Sequence, residues 1–178
     1  LWIGTAKHGL FSLNKGNAEL RHLVDKGNIT SIYQDSKDDI WVGSWNHGLF
    51  QISKGQIKVH CHDPKNDNSI STNFARVSCE DNQGNMWIGT FLGLECYNRS
   101  TGNFTHYKAS DSPDGLSHAS IWSIIKDQQG TLWMGTYFGG VNYFNPEYKI
   151  YTQYKPSEFE EEGLSSPIVG KMIEDDKN

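Results

Sequence analysis

The sequence has no apolar run approaching the roughly 20 residues that a helix needs to cross a bilayer, so no part of it is expected to span a membrane. It has no excess of positive charge either. Against 21 Asp and Glu stand 16 Lys and Arg, giving a formal net charge of -5, with the signs interspersed and "EFEEEG" from Glu158 as the only dense acidic run. Without a basic face to track phosphates, nucleic acid is not an expected partner. Cysteine is scarce: Cys61, Cys79 and Cys96 are an odd number in no CxxC spacing, which fits neither a disulfide framework nor a zinc knuckle. They read as small, partly buried hydrophobes. Catalytic signatures are missing as well. The seven His residues form no HExxH, there is no GxSxG elbow, and no nucleophile is tied to a base. The chain opens without an initiator Met or a signal peptide, inside a hydrophobic strand pattern, and reads as a piece of something longer.

What the sequence does hold is a repeat. Its 178 residues, 36% hydrophobic and 21% charged, suit a soluble globular protein that can bury a core. Within them one tetrapeptide keeps returning, as "LWIGT" from Leu1, "IWVGS" from Ile40, "MWIGT" from Met86 and "LWMGT" from Leu132. The anchors Trp2, Trp41, Trp87 and Trp133 lie 39, 46 and 46 residues apart, and a period in this range marks a repeat architecture. Asp35, Asp81 and Asp127 each stand six residues before their Trp, and Asp175 falls in the same column. Residues 1–178 therefore form a single region of four repeat lengths, beginning at the second strand of a unit.

Each unit reads as four short strands. In the third, "ARVSCE" is strand A, "MWIGTF" strand B, "LECYN" strand C and "FTHYK" strand D, joined by the turns "DNQGN", "LG" and "RSTGN". Gly and Asn fill turn positions that need positive φ, and Asp at a turn start can accept a backbone hydrogen bond. No segment keeps an apolar 3.6-residue period, so essentially no helix is expected. Strand B is an unbroken apolar run, as in strands buried on both faces. Trp87 and Gly89 should face one way and Met86 and Ile88 the other, with the Gly thinning the sheet where a neighbour packs. A radial stack of four-stranded antiparallel sheets covers both faces and protects the edges. The expected fold is thus all-β, four four-stranded β-propeller blades from a larger propeller. A β-helix or flat solenoid would use a shorter period.

The run from His60 to Lys108, with "NSISTNFARVSCEDNQGNMWIGT" and "GLECYNRSTGNF", resembles the two-component regulator propeller repeat. The likeness is spread over nearly the whole chain, with Ser78 and Cys79 in place of larger apolar residues and Ser44 in place of Thr. The resemblance implies an extracytoplasmic, periplasmic sensor region of a hybrid two-component histidine kinase of Bacteroides-like bacteria. It further implies seven-bladed rings, sensing of glycan-derived oligosaccharide, and relay through an immunoglobulin-like domain, a membrane helix and a kinase, none of which is legible in this chain.

In such a meander the B to C turns and the long D to A connectors share one face. After each Gly-Thr or Gly-Ser comes Ala6, Trp45, Phe91 or Tyr137, so three units of four put a large aromatic at one rim position. Aromatic rings beside polar donors suit a sugar, and Lys7, His8, Asn46 and His47 are neighbouring candidates, with Phe138 beside Tyr137. A second candidate place is the axis, where strand A presents Thr30, Arg76, Trp122 and Gly170 in one column. Arg76 offers a fork of donors and Trp122 a stacking face, for an acidic or ring-shaped ligand.

The recurring aspartates each lie in their own turn, without the closely spaced oxygens of a calcium loop, so a turn role is expected. In a strand His60 and His62 share a face while Cys61 points away, so no metal is expected there. No cofactor is expected, and "EFEEEG" reads as a solvated connector. The expected function is ligand sensing without catalysis in this segment. The alternatives are a scaffold that docks other blades, a second copy or a partner subunit, and, last, a propeller lyase or hydrolase.

Overall fold

The computed structural model describes residues 1–112, 114–148, 150–157 and 163–175. Most of "EFEEEG" lies outside them. The described residues form fifteen strands and no helix. In chain order these are β1 (Trp2–Gly4), β2 (Leu10–Leu13), β3 (Leu20–Val24), β4 (Ile29–Gln34), β5 (Ile40–Ser44), β6 (Leu49–Ser53), β7 (Gln56–His60) and β8 (Ala75–Glu80). There follow β9 (Met86–Thr90), β10 (Leu94–Asn98), β11 (Asn103–Tyr107), β12 (Ile121–Lys126), β13 (Leu132–Thr136), β14 (Val141–Asn145) and β15 (Ile150–Tyr154). Every sheet is an antiparallel meander in sequence order.

One expectation needs correction: three sheets have four strands, but the first, β1 to β3, has three. The residues that would supply a strand in register with strand A, around Gly170, form no strand. Val169 instead donates its N–H to the Thr136 carbonyl at 3.0 Å, so this stretch continues past the fourth sheet rather than returning to pair with β1.

Three apolar cores lie between successive sheets. Ile40 and Val42 of β5 pack toward Leu10 and Val24 of the first sheet, while Trp41 between them turns to Met86, Ile88 and Tyr97 of the third. Likewise Met86 and Ile88 face the second sheet, and Trp87 faces Leu132, Met134 and Phe144 of the fourth. This is the two-faced burial that the unbroken run of strand B implied. The glycine of the tetrapeptide is the point of closest approach, since a Cβ on Gly89 would stand 2.7 Å from Ile121 Cγ2. Trp41 and Trp87 are fully buried, whereas Trp2 and Trp133, in the outer sheets, are half-buried.

The aspartate column explains its own spacing. Asp81 Oδ1 accepts the N–H groups of Gln83 and Asn85, both at 2.9 Å, and Oδ2 accepts the Trp87 indole N–H at 2.8 Å. Asp35 with Trp41 and Asp127 with Trp133 repeat the pattern. One carboxylate thus closes the A to B turn and satisfies the tryptophan, which would otherwise bury an unpaired donor. Arg99, from the C to D turn of the third sheet, reaches Asp35 at 2.6 Å and Glu80 at 3.0 Å, and so ties the second sheet to the third. Cys79 is buried and Cys96 half-buried, but Cys61 is exposed, contrary to the expectation that all three are partly buried.

Candidate functional site

The last residue of the tetrapeptide builds the rim. Ser44 Oγ donates to the Gly48 carbonyl at 2.7 Å and accepts the His47 N–H at 2.9 Å. Thr136 does the same with Gly140 and Gly139, so a hydroxyl is what the position requires and Ser44 meets it as well as Thr. Gly48 and Gly140 then reverse the chain at φ of 77° and 74°, which only a residue without a side chain adopts readily. The turn leaves Trp45, Phe91 and Tyr137 at the blade ends, with the Trp45 N–H held by Asn28 O and the Tyr137 N–H by Ser120 O.

The axial candidates arrive by a different device. The pairing of strand A with strand B slips between Ile29 and Ser31, between Ala75 and Val77, and between Ile121 and Ser123. The residues skipped are Thr30, Arg76 and Trp122. A β-bulge leaves its extra residue outside the ladder and re-aims its side chain.

Rim and axis, two places in the sequence reading, are one surface in the structure. The Arg76 guanidinium carbon stands 4.2 Å from the ring centres of both Phe91 and Trp122, and 5.7 Å from that of Trp45. Trp122 stacks on Tyr137 at 5.2 Å, and Tyr137 meets Phe138 edge-on at 4.3 Å. On the other side Trp45 and Phe91 meet edge-on at 5.2 Å. Trp45, Trp122, Tyr137 and Phe138 remain exposed, at 43%, 38%, 37% and 55%. The result is an aromatic ledge across the second, third and fourth sheets with one cation in its middle.

The sequence reading missed Phe74, which packs edge-on against Trp45 at 5.6 Å and Phe91 at 5.5 Å. It stands just before strand A, where the neighbouring units have Asn28 and Ser120, and that departure was the available signal. Asn46 and His47 lie elsewhere, in a cleft between the first and second sheets with Leu23, Ile57, Val59 and Cys61. Ala6, Lys7 and His8 belong to the first sheet's turn, and Thr30 is engaged, donating to the Ala75 carbonyl at 2.6 Å. A Cβ on Gly170 would face open space. His60 stacks on Trp41, and burial pulls its pKa to about 4, while His62 bonds the Ile70 carbonyl.

A second polar cluster escaped the sequence reading. Glu95, fully buried in β10, is bonded by Ser71 Oγ and His106 Nδ1, and His106 Nε2 lies 2.9 Å from the Asp67 carbonyl. Both partners of the ring are acceptors when Glu95 is ionised, so the arrangement needs both imidazole N–H groups. The cluster fastens the connector before β8 to the third sheet, under a cleft of about 430 Å³.

Burial pulls the His106 pKa down, but the Asp67 carbonyl and the Glu95 carboxylate together hold it above the ordinary value. Burial raises Glu95 against the pull of its hydrogen bonds to Ser71 and His106. Both shifts mean that the folded chain holds a proton more tightly than the unfolded one. The stabilisation from His106 is full below its ordinary value of 6.5 and is lost as pH rises through the elevated folded value, whereas that from Glu95 is full only below 4.5. His106→Gln should therefore flatten the fall of melting temperature with rising pH above neutrality. An unchanged slope would assign the dependence to other groups.

No curated protein matches the chain. Among solved structures it is similar to the extracellular domain of a putative hybrid two-component system of B. thetaiotaomicron, with 21% identity and a TM-score of 0.68. That likeness covers 86% of this chain and 23% of that one. PorZ, a surface component of the type-IX secretion system of Porphyromonas gingivalis, is similar over 96% of this chain and 27% of its own, at 12% identity and a TM-score of 0.70. Virginiamycin B lyase from Staphylococcus aureus is similar over 88% and 52%, at 14% identity and a TM-score of 0.65. The chain thus spans about a quarter to a half of the length of these structures, and at such identities the likeness shows the β-propeller fold alone. The sequence itself says more. Residues 23–46, 69–91 and 115–138 match the two component regulator propeller family, each stretch covering strands A and B of one complete sheet. The chain carries three repeats of the two component regulator propeller type.

Proposed function

We propose that this segment is the ligand-sensing part of a larger two-component sensor, outside the cytoplasm. It takes a glycan-derived oligosaccharide on the face of the B to C turns, and the parent protein relays occupancy to a histidine kinase. The exposed aromatic ledge carries this reading. Trp45 at the end of the second sheet and Trp122 and Tyr137 at the end of the fourth are all exposed, far more aromatic surface than closing a turn requires, and such patches mark interaction sites. Rings spaced along a surface with a central donor suit pyranose units, whose CH faces stack while hydroxyls take polar groups. The segment binds rather than catalyses: at the ledge no acid and base are paired among the described residues, and the paired Glu95 and His106 are spent on holding a connector.

The double variant Trp45→Ala, Tyr137→Ala should weaken binding of a mixed plant and host glycan oligosaccharide pool by a hundredfold or more. Its melting temperature should stay within a few degrees of the parent's, since both side chains are more than a third exposed. Binding that survives this change would remove the ledge from the site. A second reading, docking, is favoured by another observation: Trp2 and Trp133 are half-buried where their column mates are sealed between sheets. Further blades or a second copy would cover those outer faces, and the solution mass by light scattering separates a shared assembly from a monomer.

A further inference from the structure

Arg21, Arg76 and Arg99 are the arginines of this chain. Two of them are matched by carboxylates: Arg21 stands 2.7 Å from Glu19, and Arg99 lies between Asp35 and Glu80. Arg76 is different. Among the described residues it makes no ion pair and no hydrogen bond, and its Nη1 is buried from solvent without a partner. The bulge in β8 takes Arg76 out of the ladder and lays it against Phe91 and Trp122. Rings against a guanidinium stabilise its charge through their π faces but leave its N–H groups, which radiate in its plane, unsatisfied. A buried donor without an acceptor is costly, and more so when it belongs to a cation. Burial lowers the pKa of Arg76, yet a guanidinium stays charged at any working pH. The residue as a whole is only half-buried, and of its guanidinium nitrogens Nη1 alone is among the buried unpaired atoms, so the fork keeps an open edge; exposed Trp45 and Trp122 flank it, and Tyr137 stacks on Trp122.

We propose that the missing acceptor arrives with the ligand, so that this rim selects saccharides carrying an anionic group and docks that group on Arg76 while adjacent sugar rings stack on Trp45 and Tyr137. The proposal rests on the saccharide reading above and adds the charge of the ligand to it. A planar carboxylate, as on a hexuronic acid, and a sulfate ester both match the fork geometry.

Isothermal titration of the chain with two matched pairs tests it: a tetragalacturonate against its methyl ester, and a sulfated galactan tetrasaccharide against its desulfated form. The first pair reads carboxylate, the second sulfate. The wild type should bind at least one acidic member about tenfold or more tighter than its neutral counterpart. Arg76→Gln should erase that preference while leaving the weaker binding of the neutral member. Arg76→Lys, which keeps the charge without the fork, should retain part of the preference, and a melting curve for each variant reports folding. Equal binding within both pairs, or a preference that survives Arg76→Gln, would overturn the proposal and leave the saccharide reading standing. No binding of any of the four by the wild type would remove the saccharide reading and this proposal with it.

Discussion

Asp35→Ala should lower the unfolding free energy by about 3–5 kcal/mol, the range seen when one partner of a buried ion pair is deleted. The carboxylate has no exposed side-chain surface. It accepts the N–H groups of Lys37 and Asp39 at 2.8 and 2.9 Å, the Trp41 indole N–H at 2.6 Å and the Arg99 guanidinium at 2.6 Å. Alanine strands an indole donor inside the core and leaves Arg99 with Glu80 alone, and buried groups without partners carry most of the cost. For a chain of this size the melting temperature should fall by about 10 °C. Asp127→Ala makes the comparison, since Asp127 holds the half-buried Trp133 and no arginine reaches it among the described residues; its loss should cost less than half as much. Equal effects would mean that the turn, not the tie between sheets, is what the aspartate secures. The pH dependence has a definite sign. Burial pushes the Asp35 pKa up, but its donors outweigh this and hold it below 3.8. Its stabilisation is complete above that value and fades as pH falls through the depressed folded value, so Asp35→Ala should also blunt acid unfolding.

Gly43→Ala is the second large effect. A methyl group there would stand 2.6 Å from Ser31 Oγ and 2.7 Å from the Ala75 carbonyl oxygen. A side chain can rotate away from such a clash, but the carbonyl belongs to strand A of the next blade and moves only if that blade moves. Overpacking of this kind costs about 1–3 kcal/mol, and more where backbone must shift. Because Ala75 precedes Arg76, the displacement should also weaken ligand binding although Gly43 contacts no part of the ledge. A variant with unchanged stability would show that the sheets slide over each other more freely than their packing implies. Gly55, on the other hand, has open space around its Cβ position, although its φ of 80° strains any replacement.

Within one unit the sequence was close to a blueprint. "ARVSCE" and "LECYN" are β8 and β10 residue for residue, because turn signals bracket each strand and the column of Trp and Asp fixes the register. Legibility stopped at relations between units. Arg99 sits in what reads as an ordinary "RSTGN" turn, and its partners are in the next blade. Glu95 looks like the solvent-facing residue of an alternating strand until a connector folds over it. The rim and axial residues were each identified, but not their meeting, since the rotation from one blade to the next has no signature along the chain. The three-stranded first sheet likewise depends on where the last described residues go, a question of packing rather than pattern.

The bulge that recurs in all three complete sheets divides labour within the repeat. On both sides of Thr30, Arg76 and Trp122 the ladder runs in regular register, so the skipped residue is released from the pairing demand placed on its neighbours. A small alcohol, a cation and the largest aromatic occupy it in one chain, with the same strand lengths around each. Such an array can vary one blade at a time: the letter at this position changes what the surface displays while the ladder that carries it stays as it was.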